Sequence, residues 1–273
     1  MITLKIILII LMISKRLISY HIHLFNSSKL QLKKNIKNIC SNKMITSNDN
    51  NEKAGFADIS NSHEKADDVC DLSNKSMNWL ERIDISIKKS RKIKGGNYVQ
   101  IATVDEMGSP NCRTVVFRGF LKYNYDKSIA MKMITDSRSE KVNQINFSPI
   151  CEMVWWFSQS SEQYRIKGKL KLVSNESNDS EEIQMARKQM WGNLSDPARE
   201  QFYWLQPGKE YDGVPVVPNG GRDNEGKVLS PPSTFLLMLL IPTSVKYLRL
   251  KDNFAQNDKI QDNNKWISTR VNP

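Results

Sequence analysis

Two short segments gather side chains suited to holding an anion. Asn111–Phe120 reads NCRTVVFRGF and sets an arginine on either side of a β-branched run. Thr135–Lys141 reads TDSRSEK and combines three hydroxyls with two cations. In an extended strand alternate side chains share a face, so Arg113, Val115 and Phe117 point one way and Thr114, Val116 and Arg118 the other. Such a strand can reach into a cleft with one cation and toward a rim or subunit interface with the other. Two snorkelling arginines, their apolar stems laid on a barrel wall, also explain it. The second segment follows a strand and opens a helix, where free backbone N–H groups and the helix dipole favour negative charge. Thr135, Ser137, Ser139, Arg138 and Lys141 add hydroxyl, guanidinium and ammonium donors, the set a phosphate monoester requires. A solvated helix start uses the same residue types, because Ser, Thr and Asp cap helices. In Ser161–Gly168, SEQYRIKG, Gln163 and Arg165 share one strand face. A glutamine amide both donates and accepts, which suits the edge of a flavin or a nucleobase; an exposed hairpin arm is the plainer alternative.

What is missing narrows the chemistry. All three histidines (His21, His23, His63) precede residue 64, so the rest of the chain builds no Ser-His-Asp triad, HExxH site or histidine general base. The four cysteines (Cys40, Cys70, Cys112, Cys151) contain no CxxC pair, and neither a disulfide framework nor a metal site is expected. An enzyme built from this domain needs a borrowed cofactor. The net charge of +11 favours an anionic partner. However, residues 1–48 hold eight Lys or Arg and no Asp or Glu, so much of the excess lies outside the folded part. The aromatic run MVWWF near lysines could imitate a stacking platform for single strands. Its Val154 and Trp156 alternate with Met153, Trp155 and Phe157, so both faces are apolar, as a core or dimer-interface strand requires. No nucleic-acid partner is expected.

The elements that must position these residues begin near Ser76. Trp79, Leu80, Ile83 and Ile87 have helical spacing, and Gly95–Gly96 closes that helix. Tyr98–Val104 and Asn111–Gly119 form a hairpin around Asp105–Pro110, and Ser128–Ile134 is a third strand. SEKVNQINFS is a short helix with Val142, Ile145 and Phe147 inward, stopped by Pro149. A second hairpin turns at Gln159–Ser161. Two helices follow, SEEIQMARKQMWGNL and SDPAREQFYW, the second capped by Ser195 or Asp196 with Pro197 in its first turn. Residues 206–233 are rich in Gly and Pro without periodicity, as in a lid or a disordered loop. STFLLMLLIPTSVKYLRL is a last hairpin broken at Pro242. Six or seven strands joined by tight turns, with helices at the edges, predict a mainly β, small antiparallel barrel.

Three spans follow: a targeting leader over 1–48, a disordered linker over 49–75 and the folded domain over 76–273. The apolar run Ile6–Ile13 is too short for a stable membrane span and fits a signal-peptide core. The basic, acid-free stretch behind it has transit-peptide composition, which points to a plastid-like organelle or a mitochondrion. A disordered extension on a cytoplasmic protein is the alternative.

IATVDEMGSPNCRTVVFR, ITDSRSEK, EQYRIKG and WISTRVNP, in this order, resemble the FMN-binding split-barrel proteins of the pyridoxamine-5′-phosphate oxidase type, over roughly Trp79 to Pro273. The resemblance implies an antiparallel, Greek-key split barrel and a homodimer with FMN at the subunit interface. It also implies that Arg113, Arg138, Ser139 and Lys141 hold the FMN phosphate. The strand Arg113, Thr114, Val115, Val116, Arg118 would run along the isoalloxazine with Thr135 close by, and Gln163 would reach it from the partner subunit. Arg118, Trp191 and Arg199 become candidates for the substrate side. The family's C-terminal W-x-x-G-x-x-R-L-H-D-R is replaced here by YLRLKDNFAQNDKI, with Leu248 at the Trp position, and the substrate helix by QMWGNLSDPAREQFYWLQPG. FMN binding therefore carries over better than oxidation of pyridoxamine phosphate. The expected function is an FMN-dependent oxidoreductase acting on a small amine or phosphorylated substrate, with a non-enzymatic flavin carrier or sensor as the alternative.

Overall fold

The computed structural model describes residues 77–123 and 128–273; the expected leader and linker lie outside the described residues. Helix α1 (Trp79–Ser90) starts at Asn78, whose side chain accepts from the Leu80 and Glu81 backbone while Glu81 reaches back to the Asn78 N–H. Its Trp79, Ile83 and Ile87 face is fully buried. The chain then runs through β1 (Tyr98–Val104), β2 (Pro110–Val116), β3 (Phe120–Tyr123), β4 (Ser128–Asp136), α2 (Glu140–Phe147), β5 (Ile150–Phe157) and β6 (Glu162–Val173). It continues through α3 (Glu181–Gly192), α4 (Asp196–Glu200), β7 (Phe235–Arg249), β8 (Phe254–Ile260) and β9 (Trp266–Val271).

The nine strands of the described residues belong to one antiparallel sheet, ordered β2-β1-β5-β6-β7-β4-β3, with β8 added beside β7 and β9 beside β8. Its two ends meet where the Arg118 N–H donates to Lys132 O and the Lys132 N–H donates to Gly119 O, which closes the barrel. The split comes from β7: its first half pairs with β4 and its second half with β8, while β6 follows it throughout. The apolar run of β7 serves two cores. Met238 and Leu240 point into the barrel with Trp155, Phe157 and Tyr164; Phe235, Leu237 and Leu239 point out to α3, Trp191 and Phe202.

Several expectations are corrected here. STFLLMLLIPTSVKYLRL is one fifteen-residue strand and not a hairpin. Pro242 is tolerated because the β6–β7 register shifts between Lys167 and Gly168, directly opposite it. Gly168 lets the Ile241 carbonyl approach so closely that a Cβ there would lie 2.2 Å from its oxygen. Phe120–Tyr123 and the two C-terminal strands raise the strand count among the described residues to nine. Phe147 is 55% exposed and not inward, because α2 ends as Pro149 approaches. In β5 only the Met153, Trp155, Phe157 face is buried within this chain; Trp156 is half exposed. Ser195 takes the N-cap position of α4 without a side-chain cap bond.

The second half of the 206–233 excursion is fastened down. Arg199 donates to Gly220 O, Arg222 grips Asp196, and the Trp191 indole donates to Leu229 O. No helix among the described residues is long and apolar enough to cross a membrane.

Candidate functional site

The rim between β1, β2, the end of β4 and α2 collects two cations, Arg113 and Lys141, that form no ion pair among the described residues. Arg113 projects from β2 and donates to Thr103 Oγ1 on β1 at 2.6 Å and to Gln144 Oε1 on α2 at 2.8 Å. Thr103 donates in turn to the same Gln144 oxygen at 2.6 Å. The guanidinium is therefore aimed by neutral groups. Lys141, in the first turn of α2, donates to Thr135 Oγ1 at 3.2 Å and to Ser139 Oγ at 3.1 Å, and those hydroxyls lie 3.1 Å from each other. Ser139 also donates to Asp136 O at 2.8 Å, which fixes where its oxygen points.

The electrostatics match that geometry. Burial lowers the Lys141 pKa, and the nearby Arg113 charge lowers it further against a weaker opposite pull from Asp136. Burial likewise lowers the Arg113 pKa, partly offset by Cys112 and Glu140. Neither cation forms an ion pair with a carboxylate among the described residues. The Gln144 Nε2 donor is buried without a hydrogen-bond partner although the residue is only 3% exposed. Two cations, two hydroxyls and an orphaned amide donor at one rim fit a phosphate monoester dianion.

Because Lys141 has a lower pKa in the fold than its ordinary 10.5, the unfolded chain binds more protons there at intermediate pH. The stability of the ligand-free protein should then rise with pH toward that value through this group. Thermal melts of the ligand-free protein and of Lys141→Met check this: the mutant should be at least as stable near neutral pH. Its advantage should shrink as pH rises toward the ordinary lysine value.

Not every expected residue joins this cluster. Arg138 turns away: its guanidinium lies on Asp136 and on the Trp204 carbonyl. Val115 packs against the barrel core, while Thr114 and Val116 sit on the outer face of β2. Arg118 follows β2, where its backbone joins β4. Gln163 lies on β6 opposite Trp156. Trp191 and Arg199 form no open wall. Both are at most 2% exposed: Trp191 packs on Phe202 and Phe235, and Arg199 is held by Gly220 O, Leu194 O and Asp196. Both fasten the excursion to the body of the domain.

Thr103 and Gln144 escaped the sequence reading. Each is a polar residue at a position whose neighbours by periodicity, Val99 and Ile101 for one and Val142 and Ile145 for the other, point inward. That misfit was the available signal.

Known proteins resemble this chain in sequence and in fold. The family model described as "Pyridoxamine 5'-phosphate oxidase, FMN-binding domain" covers residues 76–174, the stretch that contains every cradle residue. An Arabidopsis thaliana protein named pyridoxine/pyridoxamine 5′-phosphate oxidase 2 is 30% identical over 204 residues, spanning 71% of this chain and 96% of its own length. A Legionella pneumophila (strain Paris) pyridoxine/pyridoxamine 5′-phosphate oxidase is 23% identical over 184 residues, 63% of this chain and 76% of that one. Among solved structures, a pyridoxamine 5′-phosphate oxidase-related FMN-binding protein from Nostoc punctiforme superposes with a TM-score of 0.63 at 34% identity. It covers 72% of this chain and 98% of that one.

Proposed function

Because this chain belongs to the pyridoxamine 5′-phosphate oxidase-related family of FMN-binding proteins, we propose that it is an FMN-dependent oxidoreductase whose cofactor phosphate lies on the Arg113–Lys141 rim. The observation that carries this is the pair of unneutralised cations beside the orphaned Gln144 donor. Arg113 and Lys141 bind the dianion, Thr135 and Ser139 direct hydrogen bonds to it, and Thr103 with Gln144 orients Arg113. Bound FMN supplies two-electron redox chemistry toward a small reduced substrate. The protein contributes orientation, charge and exclusion of water.

The subunit arrangement is part of the proposal. The outer faces of β1, β2 and β5 carry Tyr98, Val116, Val154 and Trp156, with Tyr98 and Trp156 about half exposed. A second copy covering this face would bring Gln163 toward the flavin and make the homodimer the working unit.

The substrate is a small amine or phosphorylated compound other than pyridoxamine 5′-phosphate. YLRLKDNFAQNDKI, which replaces the family's C-terminal signature, contains one arginine, Arg249, and it is committed to Asp252 by bonds of 2.9 and 2.7 Å and lies over the Phe254 ring. It has no free fork for a substrate phosphate. The purified protein should be yellow, or become so with FMN, and release little peroxide with pyridoxamine 5′-phosphate. A screen of small amines under the same peroxide assay identifies the donor. A protein that stays colourless in excess FMN removes the proposal; one that binds FMN but no donor reduces is a carrier.

A further inference from the structure

In the turn Asp136–Ser139 an arginine sits beside the flavin-phosphate cradle but does not point into it. Arg138 donates from Nε to Asp136 Oδ1 at 3.0 Å and from Nη2 to Asp136 Oδ2 at 2.7 Å, a bidentate fork on the carboxylate two residues before it. Its Nη1 donates to Trp204 O at 2.8 Å, so all three guanidinium nitrogens are engaged. Asp136 Oδ1 also accepts the Arg138 backbone N–H at 2.8 Å. The Asp136 backbone carbonyl meanwhile accepts the Ser139 hydroxyl and the Ser139 N–H. The shape of this turn decides where Ser139 Oγ stands, and with it the ammonium of Lys141.

The same turn is tied to a distant part of the chain. The Ser137 N–H donates to Thr234 O at 2.8 Å, Thr234 donates to Phe202 O at 2.7 Å, and Arg138 holds Trp204 O. Residues 202–204 and 234 are the two stems of the long excursion before β7. Its first part, from Leu205 to Val214, is exposed and makes no hydrogen bond to other described residues. The fork on Asp136 therefore joins the cradle to the base of that excursion.

We infer that Arg138 is a positioning residue, not a phosphate ligand: clamped by Asp136, it fixes the Asp136–Ser139 turn against Trp204 and so preorganises Ser139 and Lys141 for the cofactor phosphate. The inference rests on the proposed FMN site. It makes the carboxylate of Asp136 an aid to anion binding, although the carboxylate is negative and close by. A phosphate-binding Arg138 would give Asp136 the opposite role, that of a competitor for the guanidinium.

The test is FMN affinity, by flavin fluorescence at several salt concentrations, in wild type, Asp136→Asn, Arg138→Lys, Arg138→Ala and Lys141→Ala. Asp136→Asn should weaken binding about ten-fold, Arg138→Ala about the same, and the double variant no further, since both remove one clamp. Arg138→Lys should not rescue, because an ammonium keeps the charge but cannot make the fork. The salt dependence should stay that of wild type in these variants and flatten in Lys141→Ala, where a direct contact is lost. Trypsin should cut faster at Lys209, in the exposed part of the excursion, once the clamp is gone. Unchanged or tighter binding in Asp136→Asn overturns the inference, as does a flattened salt dependence in Arg138→Ala. Arg138→Lys and Asp136→Asn keep side-chain bulk, so the test survives if Arg138→Ala misfolds. Failure of wild type to bind FMN would instead reject the site itself.

Discussion

Alanine at position 113 is expected to raise the dissociation constant for FMN about 100-fold while leaving riboflavin binding nearly unchanged. Arg113 is aimed before any ligand arrives, by Thr103 at 2.6 Å and Gln144 at 2.8 Å, so little ordering cost remains when a phosphate binds. A charge-assisted contact of this kind contributes about 1.5–3 kcal/mol, and about 2.7 kcal/mol corresponds to the 100-fold loss. The ligand-free fold should tolerate the change. Thr103 and Gln144 still satisfy each other, and Lys141 loses the neighbour that lowers its pKa. Calorimetric titration of the variant with FMN and with riboflavin checks the loss, and thermal melts without flavin check the tolerance. An equal loss for both flavins would mean that the variant had damaged the fold and not the cradle.

Gly168→Ala should be the most damaging small substitution in the barrel, costing about 3 kcal/mol of unfolding free energy. The added Cβ would sit 2.2 Å from the Ile241 carbonyl oxygen and 2.9 Å from its carbon. Those are backbone atoms of β7, which pairs with β6 from Glu162↔Arg249 to Val173↔Leu237, so neither strand can move aside locally. Gly192→Ala, at the end of α3 with nothing within 4 Å of a new Cβ, is the matched control and should change stability little. Urea titrations of the two variants give the comparison: a lower midpoint at unchanged slope for the first, and a wild-type curve for the second.

The parts of this protein written locally were legible in its sequence. The first helix, both early hairpins and the TDSRSEK turn follow from periodicity, turn residues and caps. The long β7 was not, because a continuous apolar run with a proline reads as two strands when the glycine that accommodates the proline lies on another strand. The last two strands were hidden for a related reason: Phe254–Ile260 carries four consecutive polar residues, Gln256 to Lys259, and its buried Gln256 and Asp258 are satisfied by Met77, Trp79 and Ser268. The cradle shows the same division. Arg113 and Lys141 stand out by type and spacing. Gln144 and Thr103 matter through the direction they give to Arg113, and Arg138 is diverted by a carboxylate inside its own motif. Trp191 and Arg199 show the converse. Residue types common in binding sites are spent here on backbone carbonyls in the interior.

The measurement that bears most directly on the phosphate cradle is the affinity of the wild-type protein for FMN relative to riboflavin, which differ only in the phosphate. FMN should bind at least about 100-fold more tightly, and added inorganic phosphate should compete. Equal affinities for the two flavins, or no binding of FMN, would contradict the assignment of Arg113 and Lys141 to the cofactor phosphate.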